Sequence, residues 1–136
     1  DVVMVEQFRY SSIKRSSRNG WALEIIAGLL DDGETPHECA IRETLEETGF
    51  RVDSLEFIST YFASIGISDE LVHLYYGKVK SADKIAAGGG LAQENEDLAI
   101  REISLENLAE GIHTGWINDA KTIIAVQWLQ LKKASE

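Results

Sequence analysis

Residues 28–50 read GLLDDGETPHECAIRETLEETGF. The stretch holds seven carboxylates, Asp31, Asp32, Glu34, Glu38, Glu43, Glu46 and Glu47, against one base, Arg42. Like charges one helical turn apart repel, so the crowding calls for a cause. Thr35-Pro36-His37-Glu38 is a helix start: Thr35 suits the N-cap, Pro36 the first helical position, and Glu38 closes a capping box. The helix is expected to run to Thr48, with Gly49 as its left-handed stop. On a wheel at about 100° per residue, Ala40, Ile41, Thr44, Leu45 and Thr48 share a packing side, with Arg42, Glu43, Glu46 and Glu47 opposite. Glu43 and Glu47 stand one above the other, with Glu46 alongside. Exposed pairs of this kind cost roughly 0.2–0.5 kcal/mol each. A hard divalent cation such as Mg²⁺ reverses that sign.

Alone, an acidic run on a helix reads as a solvated face. This helix, however, is entered from a strand through AGLLDDGE, where Gly28 and Gly33 allow sharp turns and a close ligand approach. Strand, glycine loop and acidic helix make a layout for phosphate and metal. Because the loop lacks a Walker lysine, it would grip phosphate through metal.

Working outward, strand patterns occupy 1–8, 21–27, 54–63, 70–79 and 98–103. RYSSIKRSSRNG, between the first two, reads as a polar, basic loop. Residues 80–97, with three consecutive glycines followed by acids, read as a long mobile loop of the kind that often carries function. Further helices are expected over 104–113, with Ser104 as N-cap, and over 119–134. The predicted class is α/β, a mixed β-sheet sandwiched between helices.

The bulk numbers bound the remainder. A chain of 136 residues suits one domain, expected over 1–136. Since DVVMVEQF opens inside a strand pattern, residues preceding it are expected to be absent from this sequence. No apolar run is long enough to span a membrane, and a net charge of −10 argues against a nucleic-acid binder. A single cysteine, Cys39, rules out an internal disulfide and suits a cytoplasmic location. His37, His73 and His113 show no metal spacing.

Gly28, five residues, Glu34, seven residues, Arg42-Glu43, two residues, Glu46-Glu47, one residue, Gly49-Phe50: this pattern resembles the Nudix box at every fixed position. The aliphatic position after Arg-Glu is Thr44 here, on the packing side. WALEIIAGLLDDGE, ASIGISDE and GGGLAQENEDLAIREIS are further similar to the ADP-ribose pyrophosphatase branch, so the resemblance runs from Val5 to Lys133.

The resemblance implies a Nudix-type α/β/α sandwich. It implies an enzyme that hydrolyses a nucleoside diphosphate-linked molecule with two or three Mg²⁺ ions, for which Mn²⁺ can substitute. In that reading Glu43, Glu47, the Ala27 carbonyl and Glu96 are metal ligands. Glu46 supports the cluster, Arg42 orients it, and Glu94 is the catalytic base. Arg9, Ser64, Gly66 and Glu70 are the expected substrate-binding residues, and a homodimer is the expected assembly. Ile65 departs from the branch, which carries proline in a Ser-Pro-Gly turn there, and loses proline's fixed φ. The implied substrate is ADP-ribose, split into AMP and ribose 5-phosphate. Alternatives are another sugar nucleotide such as GDP-mannose, or a non-catalytic Nudix sensor that binds ADP-ribose.

Overall fold

The structure is a computed structural model that describes residues 1–91 and 97–136. Its elements are β1 (Val2–Phe8), β2 (Trp21–Glu24), α1 (Pro36–Thr48), β3 (Leu55–Phe62), β4 (Leu71–Gly77), β5 (Ala99–Ile103), α2 (Leu105–Thr114) and α3 (Ala120–Ala134). The expected elements are all present, and the class is α/β. Every ladder among the described residues is antiparallel. No helix among them is long and apolar enough to cross a membrane. The chain divides into two compact units, Asp1–Ile25 with Asp97–Glu136, and Ile26–Glu96.

The first unit is a three-stranded sheet, ordered β2-β1-β5, with α2 and α3. Its core joins Met4, Leu23, Leu108, Ile117 and Val126, and Val2, Ile103, Ile112 and Ile123 pack around it. These are the inward positions of alternating strands and the apolar stripes of two amphipathic helices. Gly111 on α2 lets Trp116 and Ile117 fold back, since a Cβ there would lie 2.6 Å from the Trp116 ring. Strand β2 stops at Glu24, short of the expected 27. The Ile25 N–H donates to Thr122 Oγ1 on α3 at 3.0 Å instead of continuing a ladder.

The second unit holds α1 and the β3–β4 hairpin. Register runs from Leu55↔Gly77 to Phe62↔Leu71, with a bulge between Phe57 and Ser59. The start of α1 is as the sequence implies. Glu38 N–H donates to Thr35 Oγ1 at 3.3 Å, and the Glu38 carboxylate accepts the Thr35 N–H at 2.9 Å. Gly49 closes the helix at φ 75°, and any Cβ there would lie 2.0 Å from the Ala86 carbonyl oxygen.

Candidate functional site

Helix α1 buries part of its acid side as well as the side its wheel suggests. Glu43 and Glu47 are buried, together with Cys39 and Thr48, while Ala40, Ile41, Thr44 and Leu45 are only half-buried. The acid side is thus turned toward the glycine loop of the same unit. Gly28 makes this possible, because a Cβ on it would sit 1.8 Å from the Glu43 carboxylate. No side chain other than hydrogen fits at 28 while Glu43 keeps its place. Thr44, the departure inside the box, donates its hydroxyl to the Ala40 carbonyl at 2.6 Å, so its polarity is satisfied within the helix.

Arg42 organises the group. Its Nε and one Nη fork onto Glu34 at 2.8 and 2.9 Å. Nη1 bridges Glu43 at 2.8 Å and Glu46 at 3.0 Å, and Nη2 also donates to the Leu29 carbonyl at 3.0 Å. Those bonds employ the full donor set of a guanidinium, which lysine could not reproduce. One side chain thereby ties the loop at Leu29 and Glu34 to the helix at Glu43 and Glu46. The Arg42 bonds first, and the Asp31 N–H second, hold Glu34 down to about 2 from the ordinary 4.5. Glu34, bonded to it, raises Arg42 further above its usual range. Burial pushes the Cys39 thiol up to about 11, so it is a poor nucleophile at neutral pH.

A second charged group lies in the other unit. Glu24, only 3% exposed, accepts two bonds from Arg9, at 2.7 and 2.9 Å, and a third from Lys121. Lys121 also pairs with Asp119 at 3.0 Å. Burial alone would raise the Glu24 pKa, but the bonds to Arg9 and Lys121 outweigh it and the net shift is downward. The sequence reading missed this network, although a glutamate inside the apolar run WALEII was a signal that a partner must meet it.

The expected site residues distribute as follows. The second unit brings Glu43, Glu46 and Arg42 into one bonded group, with Glu47 buried one turn beyond Glu43. Ala27 stands in the exposed loop just before Gly28. Ser64, Gly66 and Glu70 lie in the exposed turn of the β3–β4 hairpin, where the Ser64 carbonyl accepts the N–H groups of Ile67 and Ser68. Arg9 belongs to the first unit and is spent on Glu24 through two of its nitrogens. Glu94 and Glu96 lie outside the described residues. Segment 80–91, expected as part of a mobile loop, is instead pinned to the end of α1. Ile85 and Ala86 donate to the Gly49 carbonyl, Gly89 to Glu47 and Gly90 to Glu46.

Among the described residues no three His, Cys, Asp or Glu side chains are gathered as a complete metal cluster. The donor chemistry nevertheless fits a hard divalent ion. Glu43 and Glu47 are carboxylates at i and i+4 on a buried helix side, with a loop backbone brought close by Gly28.

A family model described as NUDIX domain matches residues 1–134. The GDP-mannose pyrophosphatase of Cronobacter sakazakii is 37% identical over 96% of this chain and 67% of its own length. The ADP-ribose pyrophosphatase of Haemophilus influenzae is 38% identical over 98% of this chain and 62% of its own. The methanol dehydrogenase activator of Bacillus methanolicus is 39% identical over 98% of this chain and 67% of its own. The chain therefore spans about two thirds of the length of these curated relatives.

Proposed function

This chain belongs to the Nudix family, and from that premise we propose that it hydrolyses the pyrophosphate bond of ADP-ribose to AMP and ribose 5-phosphate. The observation that carries the reading is the Arg42-bound acid group beside Gly28, with Glu47 buried one turn on. A sensor that only bound its ligand would have no need of so many converging carboxylates. The names of several relatives support ADP-ribose as the substrate. Both units fall within the family match and are read as one domain.

In this reading Glu43, Glu47, the Ala27 carbonyl and Glu96 hold two or three Mg²⁺ ions, for which Mn²⁺ substitutes, and Glu46 supports them. Bound Mg²⁺ supplies Lewis acidity and an acidified water. Arg42 keeps Glu43 and Glu46 in register with the loop before substrate arrives. Glu94 takes the proton of the attacking water; the new P–O bond forms as the bridging P–O bond breaks, which gives one phosphomonoester on each product. Arg9, Ser64, Gly66 and Glu70 are read as the substrate-binding residues. The protein is read as a cytoplasmic homodimer.

GDP-mannose is the second reading. It is favoured by Ile65, exposed in the hairpin turn where the ADP-ribose branch carries proline, and by the named function of one relative. A screen of nucleoside diphosphate derivatives with Mg²⁺ and detection of phosphomonoester products separates the readings. Cleavage of ADP-ribose in preference to GDP-mannose is the expected result. The reverse order moves the substrate to a sugar nucleotide, and cleavage of neither favours a ligand-binding sensor.

A further inference from the structure

Helix α1 ends badly on paper. Its last turn carries Glu46 and Glu47 and no base, so two carboxylates sit at the negative end of the helix dipole. The last carbonyls of a helix also lack internal donors. The structure meets both demands with one segment. The Gly89 N–H donates to the Glu47 carbonyl at 2.7 Å and the Gly90 N–H to the Glu46 carbonyl at 3.2 Å, while Gly49 covers Leu45 at 2.8 Å. Gly88, Gly89 and Gly90 adopt φ of 73°, 101° and 82°, a left-handed run that L side chains rarely adopt. A Cβ on Gly88 would lie 2.5 Å from the Thr48 carbonyl carbon.

We infer that Gly88–Gly90 is a backbone clamp that positions the last turn of α1, and with it the carboxylates of Glu46 and Glu47, for a divalent cation. The two donated N–H groups turn toward the residues whose side chains the metal reading assigns. They offset the local negative potential and stop that turn from fraying. The glycines are positioning residues, because their amides hold backbone carbonyls and touch no reacting atom. The inference rests on the metal-dependent reading above and deepens it.

The test is Mn²⁺ binding to the full chain, followed by titration calorimetry without substrate, beside thermal unfolding of each variant. Gly89→Ala forces one left-handed residue and is expected to weaken Mn²⁺ binding about ten-fold. Gly115→Ala is the control: Gly115 is also left-handed, at φ 82°, with nothing within 4 Å of its Cβ position, and it caps α2 in the other unit. Its variant is expected to lose thermal stability and keep full Mn²⁺ affinity. Equal affinity in Gly89→Ala and wild type overturns the clamp, as does an equal loss in Gly115→Ala. No Mn²⁺ binding by the wild type overturns the metal reading and the clamp together. If Gly89→Ala does not fold, Gly90→Asn and Gly90→Val replace it. Asn tolerates the left-handed region and should retain affinity, whereas β-branched Val should lose it; equal affinities of these two overturn the clamp.

Discussion

Two of the charged groups in this molecule share their cations differently. In the first unit two cations, Arg9 and Lys121, serve two carboxylates, Glu24 and Asp119, so the formal sum is 2 − 2 = 0. In the second, Arg42 alone serves four carboxylates at once among the described pairs, those of Asp31, Glu34, Glu43 and Glu46. A buried charge group that only holds a fold is expected to be neutral, because uncompensated buried charge is costly. Several carboxylates gathered on one guanidinium suit the divalent cation proposed above. The contrast sets the proposed metal group apart from the network around Glu24.

The largest effect should come from the excess charge itself. Glu47→Gln keeps shape and burial but removes one unit of it. Turnover with Mg²⁺ is expected to fall by more than the roughly 100-fold that loss of an outer-shell partner costs, with circular dichroism unchanged. A wild-type rate would break the contrast. Next comes Glu94→Gln, expected to lower kcat far more than it weakens substrate binding. An equal loss on substituting Gln93 would remove Glu94 as the base.

Arg42→Lys tests the shared cation. Lysine keeps the charge but cannot fork onto Glu34 while bridging Glu43 and Glu46, so kcat should drop roughly 10–100-fold. Full activity would mean that charge alone, without the fork, suffices. Lys121→Met probes the neutral network and should do the converse. Urea unfolding should show a loss of about 1–3 kcal/mol, as one bond to buried Glu24 disappears, with kcat unchanged. A large kcat effect there would erase the distinction between the two groups.

The smallest effect is in acid. Because Glu34 is held at about 2 rather than 4.5, its pairing contributes stability that is complete above about pH 4.5. That contribution is lost as pH falls toward about 2. The stability difference between wild type and Glu34→Gln should follow that window in acid titrations monitored by fluorescence. A difference that persists at pH 2 would show that Glu34 acts through packing and not through its charge.

Much of the fold was legible because it rests on local rules. The start of α1 follows from Thr35, Pro36 and Glu38, and its stop from Gly49, because caps are short-range hydrogen bonds between residues a turn apart. The box spacing likewise identified Glu43, Glu46 and Glu47 as one group, since i, i+3 and i+4 positions share a helix side whatever the surroundings. The wheel missed that Glu43 and Glu47 are buried too. It ranked residues by polarity, whereas Gly28, fifteen residues before Glu43, leaves room for that carboxylate.

By itself, then, the sequence determined the family, the helix with its caps, and the identity of the acids, all encoded within one or two helical turns. The tertiary structure alone decided how their charge is shared. Arg42 meets Glu34 across a loop, Lys121 meets Glu24 from a distance of 97 residues, and Gly88–Gly90 return to the end of α1 as donors. Such partners are chosen by where the chain doubles back, and no local propensity records that.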